Sequence, residues 1–463
     1  MSMIARRWDF FRRAETGPII KEKDFILRRY WPRLKELIRE YDIRYDPENP
    51  VPTDDTLLDD VFKAGTDLLL DVGFLCIDTS RIITFEEHEI KEGLMSLPGE
   101  TTLGEGKDCV HFQHRELEDK RFPRNIGGPT GTPLSEEYGT KIYQSYANEP
   151  LVDVIYMGAP KSVEGCTVKI GSPFEIQAEM INIAWARTAL RMAGRSGMPL
   201  YGCCFPSLAV DIASSSPEYG YRKTDMRCLW PLPQMKVNYA TLTRAAHFAE
   251  YGCRSFTAGE GYLGGLPGSP EGAVITAVAE CLGTTLLFQP SAIQAHTLNN
   301  MYSPWTGEAD IMSLWGDFVS NAALTKNTRM ILILGAYTYA GPCTETCLRE
   351  IAAEAIGGVA VGTHTYGIAP NSGLILDHCT GMEPRFRGEV GHAATGIKRE
   401  DANEIVKKIN EKYEEIVRSR NPPRGKRFAE CYDTETVTPS KEYQEIYKRV
   451  KRELEDLSLK FIY

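Results

Sequence analysis

The stretch from residue 152 to residue 202 decides the fold, because it contains a complete strand–helix–strand unit. It reads VDVIYMG (152–158), then PFEIQAEMINIAWARTALRMAG (173–194), then GMPLYG (197–202). The first and last runs are short, apolar and followed by glycine, which is typical of buried strands, whereas the middle segment has apolar residues at helical spacing. Two strands joined by a helix are expected to lie parallel in one sheet.

The same alternation continues on both sides of this unit. The other short apolar runs are FPRNIGG (122–128), DMRCLWPL (225–232), CRSFTAG (253–259), TTLLFQP (284–290), MILILGA (330–336) and GGVAVGTH (357–364). Eight strands that alternate with helices over about 250 residues predict an α/β protein built on a (β/α)8 barrel. An open doubly wound sheet is the alternative, but no GxGxxG motif follows the first strand.

Helical segments flank the predicted barrel. Residues 22–43 and 53–73 have helical periodicity, and residues 398–420 and 440–461 are charged helices. We therefore divide the chain into an N-terminal helical extension (1–120), the barrel (121–394) and a C-terminal helical extension (395–463).

Composition excludes several classes of function. The 463 residues carry a formal net charge of −10, which argues against nucleic acid as the main ligand. No run reads as a membrane span, and the basic N-terminus lacks the apolar region of a signal peptide. The 12 cysteines are scattered and form no CxxC pairs, so we expect reduced thiols in a cytoplasmic protein.

In a barrel of this type the ligand site lies at the C-terminal ends of the strands. The residues at or just after the predicted strand ends are rich in aromatic rings. They include Tyr201, Trp230, Glu260, Tyr262, Gln289, His296, Tyr337, Tyr339, Glu345, His364 and Tyr366. Aromatic faces around a carboxylate suit a methylated ammonium ion, since each cation–π contact contributes about 0.5–2 kcal/mol. Glu260, between two glycines, is the candidate anionic partner.

A metal site is an alternative interpretation of the same strand ends. Cys203, Cys204, Cys343, His364 and Glu260 could meet at the barrel mouth, where zinc accepts thiolate, imidazole and carboxylate ligands. The spacing of these residues matches no specific zinc motif, so our main interpretation includes no metal ligand.

Long motifs resemble the monomethylamine methyltransferase of methanogens. They are FKAGTDLLLDVGFLCIDTSRI (62–82), GGPTGTPLSEE (127–137), YAGPCTETC (339–347), TGMEPRFRGEV (380–390) and FAECYDTETVTPSKEYQEIY (428–447). They occur in the family's order over nearly the whole chain. The resemblance implies a (β/α)8 barrel, a hexamer, and a partner protein that carries a corrinoid (cobalamin) and docks over the barrel mouth.

The resemblance also implies a change in the site. The family has pyrrolysine in the segment that reads RMAGRSGMPLYGCCFPSLA (191–209) here, and Tyr201 occupies that position. A phenol has no electrophilic carbon with which to capture an amine. The family's glutamate corresponds to Glu260 and its tyrosine to Tyr337, whereas its glutamine is replaced by Gly335.

The sequence therefore predicts a pyrrolysine-independent methyltransferase that moves a methyl group from a methylated amine, possibly a quaternary one, to a corrinoid protein. In this interpretation Tyr201 and Glu260 are the catalytic pair, and Trp230, Tyr262, Tyr337, Tyr339 and Tyr366 line the substrate pocket. The alternatives are a zinc-dependent enzyme with a methoxy or methylthio donor, and a non-catalytic ligand-binding relative. A further alternative is that Tyr201 stands in place of an amber-encoded residue. Such a replacement would change that one position only, so the glycine at position 335, where the family has glutamine, would remain unexplained.

Overall fold

A computed structural model describes residues 3–202, 205–299, 301 and 306–463. Eight parallel strands form its centre. In chain order they are β1 (Ile126–Gly127), β2 (Val154–Tyr156), β3 (Leu200–Tyr201), β4 (Met226–Cys228), β5 (Arg254–Leu263), β6 (Ala292–Asn299), β7 (Ile333–Ala336) and β8 (His364–Ile368). Strands β1 to β6 pair in sequence order, and β7 pairs with β8.

Two parallel bridges join these sheets into a closed barrel. Ile293 of β6 pairs with Leu332 just before β7, and Asn125 just before β1 pairs with Thr365 of β8. Closure leaves the barrel without an exposed sheet edge, so its main-chain polar groups are paired internally. The predicted (β/α)8 barrel is confirmed.

A helix follows each strand and covers the outside of the barrel. These helices are α1 (Gly139–Ala147), α2 (Phe174–Met192), α3 (Leu208–Ala213), α4 (Tyr239–Tyr251), α5 (Pro270–Phe288), α6 (Ile311–Asn327), α7 (Glu345–Ala360) and α8 (Met382–Ala393). Side-chain caps begin several of them: the Asp310 carboxylate, for example, accepts the N–H groups of Met312 and Ser313 at the start of α6.

Two predicted strands were wrong. Residues 284–288 form the end of α5, and residues 357–360 form the end of α7; the strands β6 and β8 begin only at Ala292 and His364. Both helix ends are buried on every side, so they have no polar face, and their apolar runs read like strands. In addition, β5 continues through Glu260 and Tyr262, which we had expected in a loop.

Helix α5 is also long and apolar enough to cross a membrane, contrary to our expectation that no segment would be. In this structure 94% of the 18-residue apolar stretch of this helix is buried within the protein. It packs between β5 and the helix Asp55–Val72. Its composition is therefore that of a core helix covered on all sides.

The segments outside the barrel pack directly on it. The N-terminal segment contains helices Met3–Thr16, Glu22–Asp24, Phe25–Tyr30, Trp31–Glu40, Asp55–Val72 and Glu87–Met95, and strands Phe74–Cys76, Arg81–Ile83, Glu100–Leu103 and Val110–Gln113. The C-terminal segment contains helices Arg399–Asn410, Glu414–Arg418, Phe428–Cys431 and Lys441–Asp456. The last two N-terminal strands form a hairpin whose Leu103, Val110 and Phe112 join the apolar interior of the barrel.

We predict that Asn125→Leu weakens the closure of the barrel. The buried Asn125 amide donates to the carbonyls of Leu151 and Pro384, and accepts the Thr365 hydroxyl at 3.0 Å. Leucine leaves these partners buried and unpaired, which should lower the apparent free energy of unfolding by about 2–4 kcal/mol in urea denaturation. The exposed Asn421→Leu is the control, with an expected change under about 0.5 kcal/mol. Equal losses of stability in Asn125→Leu and Asn421→Leu would contradict the role of Asn125 in closing the barrel.

Candidate active site

The barrel interior contains an aromatic layer below a polar mouth. Tyr156, Tyr201, Phe256 and Tyr366 pack ring to ring, with centroid separations of 4.8–5.4 Å. These rings come from four different strands and are buried. Because they fill the barrel at mid-height, a ligand that enters from the C-terminal end meets them as a floor.

Two charged residues lie side by side above this floor. Glu260 of β5 and His296 of β6 are register partners on adjacent parallel strands. The Glu260 carboxylate accepts the Tyr262 hydroxyl at 2.7 Å and lies 3.3 Å from Nε2 of His296. Its side chain is 13% exposed, so it is reachable but largely shielded. The main-chain N–H of Glu260 donates to the buried carboxylate of Glu280, which fixes this part of β5.

His296 connects Glu260 to a second carboxylate. Its Nδ1 lies 2.5 Å from Glu308, which follows β6. Burial alone would lower the pKa of His296, but the hydrogen bonds to Glu260 and Glu308 raise it to about 10. The ring is therefore an imidazolium at neutral pH, and Glu260–His296–Glu308 carries one net negative charge.

Aromatic side chains surround this charged group. The Trp230 ring packs edge-on against Phe256 at 5.3 Å and lies 6.1 Å from His296. Tyr337 follows β7, with its ring 6.3 Å from His296. Burial, together with the nearby carboxylates, raises the pKa of both Tyr262 and Tyr337, so both phenols stay neutral. The result is an acidic cup with aromatic walls.

Tyr201 is part of the floor of this cup. It is fully buried, and its hydroxyl lies near that of Tyr366 but makes no hydrogen bond of normal length and angle to any described residue. Burial raises the pKa of Tyr201 well above its ordinary value, so the phenol is neutral. Tyr366, predicted as a wall residue, lies in the same floor, and its hydroxyl lies near those of Tyr156 and Tyr201 without a hydrogen bond of normal length and angle to any described residue.

A buried amide occupies the space next to Gly335. A Cβ atom at position 335 would lie 3.0 Å from the Tyr366 ring and 3.2 Å from Nε2 of Gln294. Gln294, on β6, is fully buried, and both of its amide atoms lack a partner among the residues described. Glycine at 335 thus makes room for a glutamine that comes from the neighbouring strand.

The structure does not bring every predicted site residue into the cup. The Tyr339 hydroxyl donates to Asp310 at 2.9 Å and its ring packs on Gly307, so it supports the loop after β6. Gln289 is the left-handed C-cap of α5, and its side chain accepts from Arg7. Glu345 is the first residue of α7 and pairs with Arg349.

The described members of the alternative zinc set lie apart. His364 is the first residue of β8, at the N-terminal end of the barrel, where Nδ1 accepts from Arg124 and Nε2 donates to the Gln113 carbonyl. Burial and the nearby Arg115 lower the pKa of His364 to about 3. Cys343 is next to the C-terminal helix residue Glu442.

Glu260 therefore has neither His364 nor Cys343 beside it, because the eighth strand was predicted too early in the chain. Cys203 and Cys204 lie outside the described residues. The zinc constellation is therefore not assembled from the ligands that the structure describes.

Four residues of this site were not predicted from the sequence, and His296 was named without a role; the four are Glu308, Gln294, Tyr156 and Phe256. The signal was the alternation in AIQAHTLN (292–299), which places Gln294 and His296 on one face. It was overlooked because the preceding helix end had been taken for the strand.

The fold and the site define a (β/α)8-barrel protein with an acidic, aromatic ligand cup at the C-terminal ends of its strands. A family model described as monomethylamine methyltransferase MtmB matches residues 6–459. Monomethylamine methyltransferase MtmB of Methanosarcina mazei is 33% identical over 457 residues, and MtmB1 of Methanosarcina barkeri is 33% identical over 459 residues, with 98% of each chain covered.

The crystal structure of the Methanosarcina barkeri monomethylamine methyltransferase superimposes with a TM-score of 0.94 at 32% identity, over 98% of both chains. A hydroxylamine complex of MtmB gives the same values. The chain belongs to the monomethylamine methyltransferase MtmB family, and it is a methyltransferase.

We predict that Tyr201→Phe does not destabilise the protein. The substitution removes a buried hydroxyl that has no partner in the described part of the chain, so the melting temperature should stay unchanged or rise. The matched control is Tyr143→Phe, since that hydroxyl bonds Asn182 and the Gly158 N–H, and its loss should cost about 1–3 kcal/mol. If Tyr201→Phe lost as much stability as Tyr143→Phe, the Tyr201 hydroxyl would have to make a stabilising hydrogen bond, and the prediction would be refuted.

Proposed function

We propose that this methyltransferase takes a methyl group from a methylated amine, bound as an ammonium ion, and passes it to a corrinoid protein without pyrrolysine. The observation that carries the proposal is the Glu260 carboxylate, fixed by Tyr262 and His296 inside a ring of aromatic side chains. The names of the relatives, monomethylamine methyltransferases, support the same class of donor.

The cup has the charge that an ammonium ion needs. Glu260 and Glu308 share one imidazolium, so one negative charge is left for a cationic ligand. Trp230 and Tyr337 supply aromatic rings, with centroids 6.1 Å and 6.3 Å from that of His296. Cation–π contacts and a shielded carboxylate together favour a methylated ammonium over a neutral amine.

Tyr201 supports a mechanism without covalent capture of the amine. Its phenol is neutral, buried and below Glu260, so its role is to close the floor and exclude water. When the C–N bond breaks, its electron pair stays on nitrogen and the donor leaves as a neutral amine. A quaternary ammonium already has this leaving group. A primary ammonium also has it, provided that Glu260 keeps the amine in its cationic form by accepting an N–H.

The residues at the mouth fit a corrinoid that is carried by another protein. Both ring nitrogens of His296 are bonded to carboxylates, so this imidazole would keep its role of holding Glu260 when the partner's corrinoid is bound. When bound at the mouth, the partner's corrinoid supplies a nucleophilic cobalt that receives the methyl group. The task of this chain is then to hold the donor cation with its methyl group outward. By the resemblance we also propose a cytoplasmic homo-oligomer, a hexamer, whose mass light scattering would measure.

Glu260→Gln should reduce methyl transfer by about 10²–10³-fold in kcat/KM, because it removes the charge that holds the cation while keeping the size of the side chain. The assay follows methylation of a reduced corrinoid protein by absorbance. Glu404→Gln, on the exposed face of the helix Arg399–Asn410, is the matched control and should keep full activity. Equal activity of the wild type and Glu260→Gln would refute the role of Glu260.

A panel of mono-, di-, tri- and tetramethylammonium ions and betaines tests the donor class. We expect thermal stabilisation by at least one of these cations, lost in Glu260→Gln, with the same cation active in methyl transfer. A ligand at 100 times its dissociation constant should stabilise the fold by about 2.7 kcal/mol. No stabilisation and no methyl transfer with any member of the panel would overturn the proposal.

A further inference from the structure

Three buried carboxylates form a cluster on the far side of His296. Glu308 follows β6, Asp317 lies on α6 and Glu354 lies on α7. Each offers an oxygen, and these three oxygens lie within 4.8 Å of one another. All three side chains are fully buried. Residues from three separate elements therefore converge on one point inside the protein.

The hydrogen bonding of this cluster is incomplete. Glu308 is bonded to His296 and accepts the Tyr337 N–H at 3.3 Å. Asp317 accepts the Thr297 N–H on one oxygen, but its Oδ2 has no partner. Neither oxygen of Glu354 has a partner within the described residues. A buried carboxylate oxygen without a donor is costly, so something must satisfy these three atoms.

The charge of the region is also incomplete. The Arg387 guanidinium interacts electrostatically with all three carboxylates, but its hydrogen bonds go to main-chain carbonyls of β7 and β8, at Leu334 and Tyr366 among others. His296 is already shared between Glu260 and Glu308. Glu308, Asp317 and Glu354 therefore carry more negative charge than Arg387 and the shared imidazolium of His296 can balance, and Asp310 and Glu350 add to it. Bound protons or a bound cation would restore the balance.

We propose that Glu308, Asp317 and Glu354 bind one hard divalent cation, Mg²⁺ or Mn²⁺. The donor set consists only of carboxylate oxygens, which these cations prefer, whereas zinc favours nitrogen and sulfur ligands. The ion would tie the loop after β6 to α6 and α7. Because Glu308 also bonds His296, the ion would fix the imidazolium that positions Glu260. This site is separate from the zinc set considered for the barrel mouth.

The test measures metal on the full chain and needs no methyl-transfer activity. Protein is depleted by unfolding and refolding with a chelator, and Mn²⁺ is added as the probe. We expect one Mn²⁺ per chain by elemental analysis and by electron paramagnetic resonance, with a rise in melting temperature. Glu354→Gln should weaken Mn²⁺ binding by at least about tenfold, and Asp317→Asn should do the same. Glu404→Gln should leave the binding unchanged.

Two results would overturn the proposal. One is Mn²⁺ binding that neither Glu354→Gln nor Asp317→Asn weakens, because the ion would then lie elsewhere. The other is no bound ion in the wild type. If protons fill the cluster instead, the wild type should lose stability relative to Glu354→Gln as pH rises.

The expected loss of stability with rising pH has a physical cause: burial raises the pKa of both Asp317 and Glu354. A carboxyl with a raised pKa in the fold stabilises it at low pH, and this stability is lost as the group ionises. Other titratable or charged groups facing the cluster are His296, Arg387, Asp310 and Glu350. They are common to both proteins, so the comparison isolates Glu354. If Asp317→Asn does not fold, Mn²⁺ binding to the wild type and to Glu354→Gln still tests the proposed site.

Discussion

The in-register pairing of β5 with β6 is the constraint on which the site depends. Parallel strands in register carry their side chains in the same direction at the same height, so Glu260 and His296 must lie together at the barrel mouth. A shift of one residue would turn Glu260 into the surrounding helical layer and leave His296 without it. Closure of the barrel prevents that shift, because each strand is held by a neighbour on both sides.

The polar interior follows from this arrangement. An imidazolium between Glu260 and Glu308 can be buried only because both partners are fixed by other elements. The Glu280 carboxylate holds the backbone at Glu260, and the backbone at Tyr337 holds Glu308. The aromatic floor of Tyr156, Tyr201, Phe256 and Tyr366 excludes water below, which strengthens every charge interaction above it. The site is therefore supported from the strands, from α5 and from the loop after β6.

The sequence was sufficient for the barrel, because strand–helix alternation is a local pattern, and it drew attention to Glu260 because a carboxylate between glycines is one too. It was insufficient where burial is complete. The ends of α5 and α7 have no polar face, so their periodicity is hidden, and β6 and β8 were placed too early. That error moved His364 to the mouth and concealed the alternation that brings Gln294 and His296 inside. Two contacts depend on packing between elements that local patterns do not encode. One joins Glu308 to His296, and the other joins the Tyr339 hydroxyl to Asp310.

The hairpin that carries Leu103, Val110 and Phe112 has a consequence for the order of events. It packs into the N-terminal end of the barrel, and the ring layer fills the middle, so among the described residues the cup opens toward the C-terminal ends of the strands. A protein docked over that opening would seal it. If the proposed function holds, the donor would enter before the partner protein docks, and the amine product would leave after the partner departs. On the proposed function, each turnover would then require the two proteins to meet and separate once.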